Sequence, residues 1–263
     1  MKKLISGGFL LAAGLLASVA PVQAAQPAPA KPTVVLVHGA FADSSSWNGV
    51  IAILERDGYK VVAAPNPLRG VRADADVVAD VVKGIGGPVV LVGHSYGGSV
   101  ISEAAEDRAN VKALVYVSAF APDTGETALG LTGKFPGSTL GPTLAPPVTL
   151  TSGGNDLYIQ QDRFPAQFAA DVPAAEARLM AAGQRPIAEA ALSEASTAPA
   201  WKTVPSWFIY GDKDRNIPPA AMGFMADRAK SRHTVVVAGA SHVVMVSHAP
   251  EVAHLIEQAA SAR

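Results

Sequence analysis

The sequence predicts an α/β fold in which a doubly wound, mostly parallel sheet carries an inserted, mainly helical cap. Three observations lead to this prediction. Short apolar runs alternate with segments of helical periodicity, which is the pattern of repeated strand–helix units. The alternation stops at residue 123 and resumes at about residue 201. One apolar run, residues 89–92, leads into Gly93-His94-Ser95-Tyr96-Gly97, the G-x-S-x-G pattern of a sharp strand-to-helix turn.

The composition indicates a globular protein with a large core. The chain has 263 residues, of which 49% are hydrophobic and 16% are charged. Its formal net charge is -1 and it has no basic stripe, which argues against a nucleic-acid partner. It has no cysteine, which excludes disulfides, a thiol nucleophile and a Cys-based metal site. His248 and His254 are six residues apart on a predicted helix and do not share a face, so we expect neither a metal nor another cofactor.

The first 25 residues have the pattern of a signal peptide. Lys2 and Lys3 precede an apolar stretch over residues 4–20, and Val22-Gln23-Ala24 resembles a cleavage site. An uncleaved membrane anchor is the alternative, but the apolar stretch is short for a membrane span and is interrupted by Gly14. We therefore expect an exported protein, periplasmic or secreted, with no stable membrane anchor after cleavage.

Residues 26–32 form an Ala/Pro-rich tether for which we expect disorder. Without Lys2 and Lys3 the chain keeps 19 basic and 22 acidic residues, a net charge of −3.

Two segments, residues 33–122 and 201–263, form the predicted core. Apolar runs that end at Gly, Pro or His predict its strands, at residues 33–37, 59–64, 89–92, 111–117, 206–210 and 233–237. Segments of helical periodicity that stop at Gly or follow Pro predict its helices. They lie at residues 47–57, 73–83, 219–230 and from about 250, and a further helix follows the Gly93–Gly97 turn, which we call the elbow. The serines at 44–46 are the candidate cap of the first helix.

Residues 123–200 interrupt the pattern and predict a cap or lid over the carboxyl edge of the sheet. Helices are expected at residues 164–182 and 187–195. Aromatic side chains in this segment, including Phe164 and Phe168, favour a cover over an apolar pocket.

Ser95 is the candidate nucleophile. A serine on so sharp a turn has strained backbone geometry, and side chains two residues away on either side would collide. Gly93 and Gly97 remove those side chains. Ser95 is therefore expected to project from the carboxyl edge of the sheet, where sites form in doubly wound folds.

His242 is the candidate base. A serine hydroxyl needs a base within hydrogen-bond reach, and the base needs an orienting carboxylate. His242 alone among the six histidines follows a buried strand in a loop of small residues, Gly239-Ala240-Ser241. That position frees its ring to point at Ser95, whereas His38 and His94 are expected to have structural roles.

Three aspartates are candidates for the acid. Asp214 ranks first, because it lies in the loop after the strand that precedes the His strand. Asp212 lies two residues nearer the strand end and ranks second. Asp123 follows the strand after the elbow and ranks third, since it also fits a turn residue.

Backbone amides are the candidate oxyanion donors. Acyl transfer needs two preorganised N–H groups. One should be the amide of Tyr96, which follows the nucleophile, and the other should come from the loop His38-Gly39-Ala40-Phe41. Ala40 is preferred and Phe41 is the alternative.

These motifs resemble a known family. Residues 35–41 (Val-Leu-Val-His-Gly-Ala-Phe), 90–98 (Val-Leu-Val-Gly-His-Ser-Tyr-Gly-Gly), 113–122 and Ser241-His242 are similar to the α/β-hydrolases grouped with plant methyl esterases, hydroxynitrile lyases and bacterial pyrethroid-type esterases. The resemblance covers nearly all of residues 32–260 and is weakest in the cap. It implies an α/β-hydrolase fold and a triad of Ser95, Asp214 and His242. It also implies Ala40 and Tyr96 as oxyanion donors.

Two departures separate this chain from the lyases of that family. The lyases carry a threonine after the His of the first loop and a lysine after the catalytic His, where this chain has Gly39 and Val243. The departure favours ester hydrolysis, and the expected apolar-walled pocket suits small to medium hydrophobic esters. The alternatives are a cofactor-free lyase or perhydrolase on the same triad, and a ligand-binding protein with vestigial turnover.

The expected pocket residues, inferred from position, are Phe41, Phe120, Phe164, Phe168 and Val243.

Overall fold

A computed structural model describes residues 31–262 together with residues 1, 3, 4 and 8. The signal-peptide prediction, and the tether prediction up to residue 30, lie almost wholly outside the described residues. Contacts divide the chain into two units, Met1–Ala30 and Lys31–Arg263. The second unit holds both the predicted core and residues 123–200, which we call the insertion.

The main sheet has six strands, and each neighbouring pair is parallel. Its strands are apolar along most of their length, as expected where both faces are covered. They are β1 (Thr33–Val37), β2 (Val61–Ala64), β3 (Val89–His94), β4 (Val111–Val117), β8 (Ser206–Gly211) and β9 (His233–Val237). The insertion adds a small antiparallel sheet of β5 (Val148–Thr149), β6 (Asn155–Leu157) and β7 (Ile187–Ala188).

Ten α-helices lie within the described residues. Those of the core are α1 (Asn48–Arg56), α2 (Val71–Lys83), α3 (Gly97–Ala104), α8 (Pro219–Arg228), α9 (Val244–Ser247) and α10 (Ala249–Ser261). Those of the insertion are α4 (Ala128–Lys134), α5 (Phe164–Phe168), α6 (Ala174–Gly183) and α7 (Glu189–Ser193). The predicted doubly wound α/β class is confirmed, because the core alternates strand and helix around one parallel sheet.

The strand order is β2-β1-β3-β4-β8-β9. The chain moves one way from β1 to β2 and then reverses to reach β3 and β4. Because crossovers between parallel strands are right-handed, the reversal places α1 on one face of the sheet and α2 and α3 on the other. Helix α2 packs on α3, and α1 packs on α10. The switch point, where ligands bind in such sheets, lies between the carboxyl ends of β1 and β3.

Several predicted boundaries are corrected. A 3₁₀ turn at Ser44–Trp47 precedes α1, and Asp43 caps it by accepting from the Ser45 amide at 2.8 Å, so the serines do not act as the cap. The helix expected at residues 164–182 is two helices, because its path breaks after Phe168 and Pro173 precedes α6. Residues 187–195 begin as strand β7 before α7.

No helix in the described part of the chain is both long and apolar enough to cross a membrane.

Candidate active site

Ser95 lies on the turn between β3 and α3, at the switch point of the sheet. Its φ angle is +54°, in the left-handed region that a non-glycine residue rarely adopts. A β-carbon on Gly93 would lie 2.5 Å from the Gly97 carbonyl oxygen, and one on Gly97 would lie 2.6 Å from the Val37 carbonyl oxygen. The turn therefore needs both glycines, in agreement with the elbow predicted from the sequence.

The backbone of Ser95 is bonded to the next sheet-edge loop. Its amide donates to the Val117 carbonyl at 3.2 Å, and its carbonyl accepts from the Phe120 amide at 3.1 Å. A β-carbon on Gly98 would lie 2.2 Å from the Phe120 carbonyl oxygen, so the loop after β4 packs directly on the start of α3. These contacts fix Ser95 from the sheet itself.

His242 and Asp214 form a buried pair. His242 Nδ1 lies 2.7 Å from Asp214 Oδ2, and the two side chains are 1% and 0% exposed. The other carboxylate oxygen, Oδ1 of Asp214, accepts from the amides of Asn216 at 2.8 Å and Ile217 at 3.0 Å. The carboxylate is thus held by its own loop and presents one oxygen to the imidazole.

The two other candidate acids have different partners. Asp212 Oδ1 accepts from the Gly239 amide at 2.7 Å, which stabilises the loop that leads to His242. Asp123 pairs with Lys202 near the start of the insertion. Of the three aspartates ranked from the sequence, Asp214 is therefore the one that the fold brings to His242.

His94 packs against His242 from inside the protein. Their ring centroids are 4.7 Å apart, and His94 Nε2 lies 3.2 Å from the His242 carbonyl oxygen, to which it donates. Burial, reinforced by the nearby His242, holds the pKa of His94 well below its usual range. Burial also lowers the pKa of His38, whose Nδ1 lies 3.0 Å from the Gly39 carbonyl oxygen. Both imidazoles are therefore neutral neighbours of the site.

Two backbone amides are available beside Ser95. Among the described residues, no protein acceptor pairs with the amide of Ala40 or of Tyr96. The Phe41 amide already donates to the Arg185 carbonyl at 2.9 Å, so of the two donors considered in that loop, Ala40 and Phe41, Ala40 is the unpaired one. The Tyr96 hydroxyl donates to Asp74 at 2.9 Å and anchors its residue to α2. Burial is the main cause that raises the pKa of both the Tyr96 hydroxyl and the Asp74 carboxyl.

A cavity of about 290 Å³ opens in front of Ser95 and His242. Predicted site residues that line it are Ala40, Phe41, Tyr96, Phe120 and Phe168. We call it the inner cavity.

Two of the predicted pocket residues do not line the inner cavity. Phe164 is fully buried and lies behind Phe168, with ring centroids 4.8 Å apart. Val243 is also fully buried, at the residue before α9. Phe164 and Val243 are therefore corrected to supporting core residues, because each points into packing.

The sequence reasoning missed most of the cavity wall contributed by the insertion. These residues lie on α4, in the segment between α4 and β5, in β6 and on α7, and are mostly aliphatic: Ala128, Leu129, Thr132, Ser138, Leu140, Gly141, Leu144, Leu157, Glu189, Leu192 and Ser193. Helix α4 contains Gly130 and Gly133, which weaken its helical pattern, although the Thr127 cap was a readable signal.

Within the residues that the structure describes, no cluster of three or more His, Cys, Asp or Glu side chains is placed to hold a metal ion.

This fold and the groups gathered at its switch point are those of the α/β hydrolase class. Residues 34–255 match the model of the alpha/beta hydrolase family, and the chain belongs to that family.

Individual relatives agree with this assignment. The carbendazim hydrolyzing esterase of Nocardioides sp. (strain SG-4G) is 33% identical over 113 residues, which are 38% of this chain and 47% of the relative. The chain thus spans about half the length of the first relatives it matches. A putative methylesterase and an alpha-hydroxynitrile lyase of Arabidopsis thaliana also match, so the family resemblance is confirmed.

Solved structures share the fold over most of the chain. Polyneuridine aldehyde esterase superposes with a TM-score of 0.75 at 20% identity, covering 87% of this chain and 99% of the other. A pyrethroid hydrolase from Sphingobium faniae JZ-2 gives 0.68 at 22% identity, covering 88% and 98%. At these identities the likeness shows a shared fold.

Proposed function

We propose that this protein is an exported serine hydrolase that cleaves carboxylic esters of small to medium hydrophobic substrates through an acyl-enzyme on Ser95. One observation carries the proposal: Ser95 on its strained turn, the His242–Asp214 pair and the free amides of Ala40 and Tyr96 converge on one cavity. This is the set of groups that acyl transfer requires.

The proposed reaction assigns one task to each group. Ser95 Oγ attacks the acyl carbon, and His242 accepts its proton through Nε2, because Nδ1 faces Asp214. Asp214 keeps Nδ1 protonated and stabilises the imidazolium that forms. The negative oxygen of the tetrahedral intermediate accepts from the amides of Ala40 and Tyr96. His242 then protonates the leaving alcohol and activates the water that releases the acid.

The inner cavity supports the substrate class. Its volume of about 290 Å³ suits a ligand of modest size, and aromatic and aliphatic side chains form most of its wall. Within the described part of the chain, the wall contains a single carboxylate side chain, that of Glu189, which is exposed. We therefore infer uncharged hydrophobic acyl and alcohol groups rather than anionic ones, which Glu189 would repel.

A lyase reaction on the same groups is disfavoured by the packing of Gly39. A β-carbon there would lie 2.6 Å from Ser95 Cβ and 2.7 Å from the His94 carbonyl oxygen, so the chain has no room for a threonine. Val243, at the position of the lyase lysine, is fully buried and uncharged. Neither a hydroxyl to hold a cyanohydrin nor a cation to stabilise cyanide is present at these two positions.

The relatives' names support ester cleavage without defining the ester. A carbendazim hydrolyzing esterase and a pyrethroid hydrolase are named for different substrates, and their similarity to this chain is partial in length or low in identity. Export is supported by the sequence of residues 1–25 alone.

Substitution of Ser95 tests the proposal directly. Ser95→Ala should lower turnover of p-nitrophenyl acetate by about 10⁴-fold or more, because the nucleophile is lost, while circular dichroism shows an intact fold. Ser99→Ala is the matched control: Ser99 is also buried, four residues further on in α3, and its Oγ has no partner among the described residues. Its turnover should equal that of the wild type.

A fluorophosphonate probe provides an independent measurement. An activated Ser95 should be labelled in the wild type and in Ser99→Ala but not in Ser95→Ala. Full turnover in a folded Ser95→Ala protein would remove Ser95 from the mechanism, and absent labelling of the wild type would favour a binding protein.

A further inference from the structure

A second cavity lies on the other side of Phe41. This outer cavity has a volume of about 360 Å³ and is formed by α6, the Asp43–Gly49 segment and Val246. Phe41 lines both the outer and the inner cavity. One aromatic side chain therefore stands between the space in front of Ser95 and a larger space beyond it.

The backbone of Phe41 is held in an unfavourable conformation. Its φ angle is +60°, which is a genuine outlier for a bulky residue. Its amide donates to the Arg185 carbonyl at the end of the insertion's helix α6, so two parts of the chain fix this conformation. Strained residues of this kind persist where their surroundings determine them, and they cluster at functional sites.

The ring of Phe41 is equally constrained. It is 3% exposed and packs edge-to-face on Phe168, with ring centroids 6.2 Å apart. Phe168 in turn packs on the His242 ring at 4.9 Å. The Phe41 ring is thus part of the aromatic packing around His242, the proposed base, and has little freedom to rotate away.

We propose that Phe41 is the specificity-determining wall that confines the ester to the inner cavity, and that the outer cavity is a latent second subsite. This inference rests on the proposed ester hydrolysis. Removal of the ring would join two volumes of about 290 and 360 Å³ and admit esters with a much longer or bulkier group.

The outer cavity also defines which long esters would enter. Among the described residues, its charged lining side chains are those of Asp43 and Glu176, and no lysine or arginine lines it. The Asp43 carboxylate accepts from the Ser45 amide at 2.8 Å, and this hydrogen bond fixes the position of the side chain. A joined cavity should therefore accept neutral or cationic distal groups and reject carboxylates.

The first test compares two substrates in each variant. In Phe41→Ala, the ratio of kcat/KM for a bulky naphthyl-substituted ester to that for p-nitrophenyl acetate should rise by about tenfold or more over the wild type. Phe41→Leu retains most of the packing and should raise the ratio less. Phe135→Ala is the matched control, since Phe135 is a partly buried aromatic residue that lines neither cavity. Its ratio should stay at the wild-type value.

The second test shows whether the distal end of a longer ester lies in the outer cavity. In the Phe41→Ala background, an ester with an ammonium-ended chain should be preferred to one with a carboxylate-ended chain of equal length. Adding Glu176→Gln should weaken that preference, because it removes one of the two negative charges of the outer cavity.

An unchanged size ratio in folded Phe41→Ala would overturn the inference. If Phe41→Ala does not fold, the ratio of Phe41→Leu decides in the same way. Wild-type turnover of p-nitrophenyl acetate separates the two proposals: its absence would remove both, whereas normal turnover with an unchanged ratio would remove only the role of Phe41.

Discussion

At the scale of single residues, the environment of His242 shows what the sequence could and could not predict. Ser95 and His242 were identifiable as the candidate nucleophile and base because each lies in a distinctive sequence pattern. Ser95 lies in the elbow, and His242 follows a loop of small residues. The choice between Asp212 and Asp214 was not, because both lie in one loop after β8. The loop after β8 distinguishes the two aspartates, because the amides of Asn216 and Ile217 bind Asp214 Oδ1 and orient its carboxylate toward His242.

Substitution of these two aspartates should separate their roles. Asp214→Asn should lower kcat for p-nitrophenyl acetate by about 10³–10⁴-fold, because an amide no longer holds His242 in the required tautomer. Asp212→Asn is the matched control, since its amide oxygen can still accept from Gly239. Steady-state kinetics with equal losses in both variants would contradict the assignment of Asp214.

His94 predicts how stability depends on pH. Burial holds its folded-state pKa far below 6.5, so the unfolded chain binds a proton that the folded chain does not. Stability from this group is therefore present above about pH 6.5 and is lost as pH falls, with a limiting slope of about 1.4 kcal/mol per pH unit.

Urea unfolding between pH 7.5 and pH 5 measures this effect. His94→Gln, whose amide can still donate to the His242 carbonyl, should show a shallower loss of stability than the wild type. His254→Gln, at an exposed position on α10, should keep the wild-type slope. A slope in His94→Gln as steep as that of the wild type would exclude His94 as the source.

At the scale of helices and strands, the core elements were predictable and those of the insertion were not. The core strands are four to seven residues long and mostly apolar, and the bounds of β1, β4 and β9 agree with the expected ones. The insertion instead uses strands of two or three residues and helices as short as five residues. Such elements are stabilised by contacts with the core rather than by their own periodicity.

Carboxylates make several of those contacts. Glu103 on α3 accepts from Thr197 and Ala198 at the end of the insertion. Glu194 lies in the insertion and accepts from the Val71 amide at 2.6 Å, at the N-terminus of α2. Each pairing links a side chain to backbone amides, which no local pattern reveals.

Removal of the Glu194 carboxylate should destabilise the protein. Gly70, which precedes α2, provides no side-chain cap, so Glu194 acts in its place. Glu194→Ala should lower the free energy of unfolding by about 1–2 kcal/mol, the usual effect of losing a helix cap. Glu106→Ala at an exposed position is the control. Urea unfolding midpoints that coincide for both variants would show that the cap adds no stability.

At the scale of the whole molecule, the parallel sheet and its helices form the hydrophobic core, and export by residues 1–25 is a proposal from the sequence. The chain has no cysteine, so an exported form would depend on burial of the parallel sheet and its helices alone. The fold class followed from the sequence because strand–helix alternation spans both core segments. The prediction that residues 123–200 form a separate cap remains a prediction, since these residues belong to the same compact unit as the core.

Export gives a prediction at the N-terminus. The protein recovered from the periplasm or the medium should begin at residue 25 or 26, because cleavage is expected after Ala24 or Ala25. N-terminal sequencing measures this. A variant with Lys2→Glu and Lys3→Glu should export poorly, since it lacks the positive n-region. A cytoplasmic protein that retains residues 1–25 would disprove the export proposal.

The close packing of Gly97 and Gly98 has a consequence for engineering. Ser95 is bonded to Val117 and Phe120, and the two glycines leave no space between the elbow and its neighbouring loops. These contacts, which position Ser95, lie outside residues 123–200. Randomised libraries in that region should reshape substrate choice if they spare Phe168, which packs on the His242 ring, and Arg185, whose carbonyl binds the Phe41 amide. Diversity at positions 97 and 98 would instead abolish the reaction in every member of the library.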